Sequence, residues 1–375
     1  MIETVSDTSP LAARLRERIT REGPITFHDW MKHALYDPSD GYYCRADRKR
    51  WGREGDYRTS PERSSIFAAT FARYFAKLYD QLGKPPSWTV IEVGAGDGRF
   101  AEGVMQTLEA NWPEIFVATT YVVDEISSHS AALAGERLKR FGARVHFGRF
   151  EQSQVNPGIV FSNELLDAFP VHRLMLHQGD WAEFYVTLDH NGQFQWLLGA
   201  PSTFVLSQLR EYFEKLGVQP AEGQVVEVSL EIEEWLRRLA ARLRKGFVVT
   251  VDYGASAQEL YAPAATREGT LRGFHKHRFV DDLLADPGEH DLTSTVNWTF
   301  VKALGTTLGL EVLEFERQDR FLLANGFLEQ LEIASALAEN EAERLRLSSA
   351  AREMILPDGM AAHFQVLVQG KNVRQ

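Results

Sequence analysis

Apolar positions near the start of the chain recur with the spacing of helices. Residues 10–22 and 26–35 each place an apolar residue every three or four positions, and Thr26 is a candidate N-cap for the second segment. A longer apolar and aromatic stretch predicts a helix over 64–82. Two prolines follow it, so we expect a domain boundary after residue 84, with a helical cap over 1–84.

Beyond residue 84, short apolar runs alternate with segments of helical period. This alternation indicates an α/β fold with a mostly parallel sheet covered by helices on both faces. The predicted strands cover 88–93, 119–124, 158–162, 225–228 and 246–251, and the predicted helices cover 99–112, 127–141, 202–216 and 230–244. Between 171 and 198 the period falls to two, which predicts an antiparallel β insertion. The tail predicts strands at 310–315 and 363–368 and a helix at 338–354.

Composition and charge narrow the class of protein. Hydrophobic residues make up 44% and charged residues 25% of the 375 positions, which is typical of a globular protein. The net charge of −11 disfavours nucleic acid as a partner. Cys44 is the only cysteine, so neither an intrachain disulfide nor a cysteine zinc cluster can form. Without a run of about 18 apolar residues or a signal-peptide pattern, we expect a cytoplasmic bacterial protein with no membrane insertion.

A glycine-rich loop joins the first predicted strand after the boundary to the helix that follows. It contains Glu92, Gly94, Gly96 and Gly98. Glycines let a backbone turn tightly against a ligand, and the next helix N-terminus offers free amides. The spacing G-x-G-x-G differs from the dinucleotide pattern G-x-G-x-x-G and predicts S-adenosylmethionine as the cofactor. The alternative is a glycine turn needed only for packing of the strand against the helix.

Two adjacent acids, Asp124 and Glu125, stand at the end of the next predicted strand. A carboxylate in this position is expected to accept hydrogen bonds from the ribose hydroxyls of a nucleoside ligand. Because side chains alternate along a strand, only one of the two acids can face the ligand. The alternative is an N-cap for the following helix, a role that suits Asp124 or Ser127.

Asn163, Glu164 and Asp167 follow the predicted strand over 158–162. Ligands of doubly wound sheets bind outside the carboxyl ends of strands, so we expect these side chains near the reacting centre. A carboxylate there can hold a cationic nucleophile or accept its proton, and Glu164 with Asp167 could engage the fork of a guanidinium. The alternative is helix capping by Asn163, with Asp167 in solvent.

Two other features have more ordinary interpretations. Asp252 ends a predicted strand and is either a second acidic wall of the site or part of a strand-ending turn. His275 and His277 lack the spacing typical of zinc ligands, so we expect no metal site.

Motifs along nearly the whole chain resemble one known family. The matching segments are 25–38, 41–43, 55–62, 92–98, 125–127, 163–170, 252–254, 270–277 and 287–293, with further matches in the tail. By these motifs the chain resembles the MidA-like S-adenosylmethionine-dependent methyltransferases, which include a mitochondrial complex I assembly methyltransferase. It departs from the family at 64–70 and at Asn297, where the family usually carries a carboxylate.

The resemblance implies a class I methyltransferase with a seven-stranded, Rossmann-like core. That core would cover 85–375, with insertions at about 171–228 and 255–304. Catalytic roles are expected for Glu164, Asn163 and Asp167. The residues expected to bind S-adenosylmethionine are Glu92, Gly94, Gly96, Gly98, Glu125, Asp124, Thr59, Pro61 and Asn163.

The resemblance also implies methyl transfer to a protein arginine nitrogen, because the mitochondrial relative dimethylates an arginine of a complex I subunit. A protein substrate is therefore the expected partner, and a homodimer is a further candidate. A eukaryotic copy would be expected in the mitochondrial matrix. Three alternatives stay open: a small-molecule methyltransferase, a cofactor-binding assembly factor without catalysis, and a nicotinamide dehydrogenase, which the loop spacing disfavours.

Overall fold

The computed structural model describes residues 9–45, 65–261, 267–275, 278–356 and 363–373. Its helices are α1 (Pro10–Glu22), α2 (Phe27–Tyr36), α3 (Ser65–Gln81), α4 (Arg99–Asn111), α5 (Pro113–Ala118), α6 (Ser128–Leu138), α7 (Thr203–Leu216), α8 (Leu230–Arg242), α9 (Ala257–Leu260), α10 (Trp298–Thr307), α11 (Gln318–Ala324), α12 (Phe327–Leu337) and α13 (Glu341–Ile355). Short 3-10 helices cover Lys139–Arg144 and Phe150–Gln152.

The strands follow the same chain order. They are β1 (Ile25–Thr26), β2 (Trp88–Val93), β3 (Thr119–Asp124), β4 (Val145–Phe147), β5 (Gly158–Asn163), β6 (His172–His177), β7 (Asp180–Leu188), β8 (Phe194–Gly199), β9 (Val225–Val228), β10 (Gly246–Ala255), β11 (Arg272–His275), β12 (Arg278–Phe279), β13 (Asp291–Thr293), β14 (Val296–Asn297), β15 (Glu311–Arg317) and β16 (Phe364–Lys371).

Side-chain caps determine where several helices begin. The Thr26 hydroxyl accepts a hydrogen bond from the Asp29 amide at 3.1 Å, which confirms the predicted N-cap of α2. Asn340 accepts in the same way from the Glu343 amide. Helix α13 therefore begins after the predicted start at 338.

The chain divides into two compact units. We call residues 1–57, 166–234 and 255–303 the accessory unit, and residues 58–165, 235–254 and 304–375 the core unit. The expected insertions lie almost entirely within the accessory unit. Helix α3 belongs to the core unit, so this division falls before α3 and not after residue 84. The proposed domain boundary itself stays a prediction.

A mixed sheet organises the core unit. Its strand order is β15-β16-β10-β5-β2-β3-β4. The pairs from β10 to β4 are parallel, and β16 is antiparallel to both β10 and β15. Within the described residues this continuous path of seven strands confirms the α/β, Rossmann-like class with a mostly parallel sheet. Because parallel strands end at the same edge, the segments after β2, β3, β5 and β10 lie at one edge of the sheet.

Aromatic side chains hold α3 and α4 against this sheet. Phe100 of α4 stacks on Phe161 of β5 with ring centroids 4.2 Å apart, and Phe71 of α3 lies 5.3 Å from the same ring. The two helices approach closely at Gly103, where an added Cβ would lie 2.6 Å from the Cβ of Ala68. Burial of these rings makes the strands beneath the loop edge a rigid support.

Antiparallel strands build the accessory unit. β6, β7 and β8 pair in succession, which confirms the insertion predicted over 171–198. β9 pairs with β6, β1 pairs with β7, and a small separate sheet has the order β12-β11-β13. The unit has its own hydrophobic core, in which Trp30 is fully buried and packs on Phe194 with ring centroids 4.5 Å apart.

Several elements do not follow from the sequence patterns. β4 has three residues and α5 has six, which is too short to show a period. Helix α10 was not predicted, and five of its ten residues are apolar. None of the helices in the ranges described above combines the length and the apolar character needed to cross a membrane.

Candidate functional site

The glycine loop forms a tight turn between β2 and α4. Gly94, Gly96 and Gly98 all have positive φ, at 73°, 57° and 79°. The Gly94 amide donates a hydrogen bond to the Asp124 carbonyl at 2.8 Å, which ties the loop to the end of β3. An added Cβ at Gly98 would lie 2.9 Å from the Cβ of Ala134 in α6. Both conformation and space therefore require glycine at position 98.

An arginine from α6 clamps this loop from outside. Arg137 donates from Nε to the Asp97 carbonyl at 2.9 Å and from Nη2 to Asp97 Oδ2 at 3.1 Å. Its Nη1 donates to Glu102 Oε2 at 3.2 Å. Arg137 could not be predicted from the sequence, because its partner in the loop lies 40 residues earlier and no local pattern links the two.

Glu125 connects the ends of two loops at the sheet edge. Its Oε2 accepts a hydrogen bond from the Gly96 amide at 2.7 Å, and its Oε1 accepts one from the Ser127 amide at 2.7 Å. Ser127 also caps α6 through the Ser130 amide, so the capping role considered for Ser127 is correct. A carboxylate has about four lone-pair sites, so Glu125 can accept amides from both loops at once.

Asp124 faces a different set of partners. Its Oδ2 accepts a hydrogen bond from the Phe150 amide at 2.8 Å, and Arg149 lies 3.2 Å from Oδ1. Burial raises the pKa of the Asp124 carboxyl, against the opposing effects of these two contacts. The two adjacent acids thus point to separate surroundings, as strand alternation predicted. This geometry favours Glu125 as the ribose acceptor, and the cofactor role of Asp124 stays a prediction.

Glu92 lies beneath the loop near the end of β2. It is buried, and the Tyr121 hydroxyl donates a hydrogen bond to its Oε2 at 2.8 Å. Burial raises the pKa of Glu92 to about 8, although the bond from Tyr121 opposes this shift. Glu92 is therefore mainly protonated at pH 7 and contributes no full negative charge there.

The segment after β5 is a turn and not a helix start. Asn163 ends the strand, and its Nδ2 donates a hydrogen bond to Glu164 Oε1 at 3.0 Å. Glu164 has a φ of 50°, and its amide donates to the Val251 carbonyl at 2.9 Å. The alternative in which Asn163 caps a helix is therefore wrong. Within the described ranges, the buried Oδ1 of Asn163 has no hydrogen-bond partner, which suits an N–H donor of a bound ligand.

Asp167 follows this turn but belongs to the accessory unit. It is only 5% exposed, so the alternative that places it in solvent is wrong. Its carbonyl accepts a hydrogen bond from the Ser294 amide at 2.9 Å, and this bond fixes the backbone at that point. The catalytic role of the Asp167 side chain stays a prediction.

Asn297, the departure from the family pattern, has a defined structural task in the accessory unit. Its Oδ1 accepts a hydrogen bond from the Phe300 amide at 3.1 Å, and its Nδ2 donates to the Tyr212 hydroxyl at 2.7 Å. That hydroxyl lies 3.1 Å from the hydroxyl of Tyr261. The neutral amide therefore caps α10 and satisfies a buried phenol.

Known proteins are similar to this chain in both sequence and fold. Residues 70–316 match the family model of S-adenosyl-L-methionine-dependent methyltransferases. The chain belongs to this methyltransferase family. The MidA-like family, the enzyme class and the cofactor predicted from the motifs are thereby confirmed.

The alignments with known relatives extend over most of this methyltransferase. The mitochondrial protein arginine methyltransferase NDUFAF7 homolog of Drosophila melanogaster is 28% identical over 359 residues, covering 88% of this chain and 78% of the relative. Mitochondrial NDUFAF7 of Mus musculus is 26% identical over 386 residues, covering 96% and 84%. The crystal structure of a COG1565 superfamily member from Burkholderia thailandensis, bound to S-adenosyl-homocysteine, has a TM-score of 0.84 at 29% identity, covering 97% and 92%.

Some predicted features of the methyltransferase lie outside the described residues. Thr59 and Pro61 belong to the segment 46–64, and His277 belongs to 276–277. Among the residues that are described, no group of three or more His, Cys, Asp or Glu could hold a metal ion.

Proposed function

We propose that this methyltransferase transfers a methyl group to a guanidinium nitrogen of a protein arginine. The observation that carries the proposal is the Asn163–Glu164 pair at the end of β5, where an amide holds a carboxylate at the edge of the sheet. A carboxylate in such a place is suited to a cationic acceptor. The relatives, which are named protein arginine methyltransferases, support the same acceptor.

The loop and its acid would hold the cofactor. Positive φ at Gly94, Gly96 and Gly98 brings the backbone close to a ligand without interfering side chains. Glu125 already orders the loop through the Gly96 amide, and its carboxylate would accept the ribose hydroxyls. Asn163 Oδ1 would accept an N–H of a bound ligand. When bound, S-adenosylmethionine supplies a methyl group that its sulfonium already activates.

Glu164 would act on the acceptor nitrogen. Its carboxylate would accept N–H bonds from the guanidinium and orient one nitrogen for in-line attack. The transfer forms an N–C bond, breaks a C–S bond and leaves one proton to be removed from the nitrogen. Glu164 would take that proton and release it to solvent, as a positioned general base does. Asn163 keeps the carboxylate in place through its Nδ2.

Labelled methyl transfer tests this function directly. Purified protein and isotopically labelled S-adenosylmethionine are added to a lysate of source cells that lack the protein, and labelled arginines are identified by mass spectrometry. Glu164→Gln should lower arginine labelling at least a hundredfold while the cofactor Kd changes less than twofold. The exposed Glu114 in α5 provides the matched control, and Glu114→Gln should label at the wild-type rate.

Other outcomes identify the alternatives. Label in the small-molecule fraction alone would indicate a small-molecule methyltransferase. Cofactor binding without any transfer would indicate an assembly factor without catalysis. Full arginine labelling by Glu164→Gln would remove Glu164 from the mechanism.

We further propose a protein substrate, with a complex I subunit as the first acceptor to test. The mitochondrial relatives motivate a matrix location for a eukaryotic copy and the cytoplasm for a bacterial one. A homodimer is a secondary proposal that sedimentation of the purified chain can test.

A further inference from the structure

A buried acid links the end of β10 to the turn after β5. The two strands are parallel with Val251 opposite Asn163, so Asp252 comes directly after the last paired position. The Asp252 side chain is fully buried. Its Oδ2 accepts a hydrogen bond from the Leu165 amide at 3.1 Å, and its Oδ1 accepts one from the Tyr253 amide at 2.9 Å. One carboxylate thus binds the backbone of both segments.

The turn that Asp252 contacts is strained. Glu164 has a φ of 50°, a left-handed conformation that is unfavourable for a residue with a Cβ. Such a conformation persists only where the surrounding contacts hold it. Two contacts do so here: the Glu164 amide donates to the Val251 carbonyl, and the next amide, that of Leu165, donates to Asp252.

We propose that Asp252 is a positioning residue for methyl transfer. Its carboxylate holds the Leu165 peptide, and this peptide sets the direction in which the Glu164 side chain leaves the sheet edge. The proposal rests on the role proposed for Glu164. It also gives Asp252 a task in the strand-ending turn, because both of its oxygens accept backbone amides there.

Two substitutions remove the hydrogen bonds that Asp252 accepts to different extents. Asp252→Asn keeps one acceptor oxygen for two amides, and Asp252→Ala keeps none. With a peptide that carries the arginine labelled in the assay above, kcat should fall about tenfold in the first variant and about a hundredfold in the second. The cofactor Kd, measured by calorimetry, should stay within twofold of wild type in both. A residue that served only stability would not separate kcat from cofactor binding in this way.

A matched control and a double variant test whether Asp252 affects kcat through Glu164. Asp319 is another buried aspartate of the core unit, paired with Arg317 at 2.8 Å. Asp319→Asn should lower the urea midpoint of unfolding and leave kcat unchanged. If Asp252 acts through Glu164, the double variant Asp252→Asn/Glu164→Gln should be no slower than Glu164→Gln alone.

The outcomes separate this inference from the function on which it rests. Wild-type kcat in Asp252→Ala beside an inactive Glu164→Gln overturns the role of Asp252 only. Equal losses of kcat and cofactor affinity in Asp252→Asn overturn it as well. Wild-type transfer by Glu164→Gln removes the role of Glu164, and the role of Asp252 fails with it.

Discussion

Two turns at the same edge of the core sheet use left-handed backbone in opposite ways. The loop after β2 has three residues with positive φ, and all three are glycines. The turn after β5 has one, and it is Glu164. Glycine adopts this conformation without steric cost, whereas a residue with a Cβ loses about 1–2 kcal/mol.

The difference indicates what each turn contributes. In the glycine loop every left-handed position is a glycine, and Arg137 and Glu125 fix the backbone path from outside. In the second turn the left-handed residue carries a carboxylate, and its strain is offset by hydrogen bonds to Val251 and Asp252. One turn presents amides and the other presents a carboxylate.

Replacing Glu164 with glycine should have the largest effect, because it removes the difference between the two turns at their left-handed positions. Glu164→Gly removes the carboxylate, so we expect transfer to fall about a thousandfold, or about 4 kcal/mol in the barrier. Relief of the left-handed strain should outweigh the flexibility of glycine and raise the free energy of unfolding by about 0.5–1 kcal/mol. Labelling kinetics and urea denaturation measure the two effects. A less stable variant would contradict the strain argument.

Glu92, the acid beneath the glycine loop, should make the protein less stable as pH rises, whereas an acid in a surface ion pair makes it more stable. Burial raises the pKa of Glu92 to about 8, so the folded state keeps a proton that the unfolded state releases near pH 4.5. Wild type should therefore lose stability relative to Glu92→Gln as pH rises from 5 to 8, by about 4 kcal/mol. Urea denaturation of both proteins at pH 5 and pH 9 checks this. A difference that does not change with pH would show that Glu92 is ionised throughout.

Adding one methyl group to the loop after β2 tests whether that loop requires glycine. Gly98→Ala places a Cβ at positive φ and against Ala134, so it should destabilise the protein by about 2 kcal/mol. Because the loop must shift, the cofactor Kd should rise several-fold. Gly83→Ala is the control, since position 83 also has positive φ but open space around it. Equal losses in the two variants would assign the cost to conformation alone.

The sequence predicted elements whose signals are local. The order of strands and helices, the glycine loop and the polar turn after β5 each follow from spacing within a few residues. The sequence did not reveal which atoms those residues bind. Arg137 and Asp97 are 40 residues apart, and Leu165 and Asp252 are 87 apart. Such contacts depend on how the sheet aligns distant segments.

The partners of the adjacent acids Asp124 and Glu125 could not be predicted from the sequence either. Strand alternation predicted that Asp124 and Glu125 would face different surroundings, and they do. Only the three-dimensional arrangement shows that Asp124 meets Phe150 and Arg149, while Glu125 meets Gly96 and Ser127. The left-handed conformation of Glu164 gave no signal in advance, because glutamate is not a residue that patterns associate with positive φ.

The conformation of Glu164 also has an evolutionary consequence. A chain released from selection for transfer would accept glycine or asparagine at position 164, because either residue tolerates the left-handed backbone better and several single-base routes lead away from glutamate. Mutation alone would then erase the strained residue while the fold became more stable. On the role proposed for Glu164, selection on its carboxylate keeps the strained residue, and residue 164 is the position at which to compare active members of the family with copies that have kept only the scaffold.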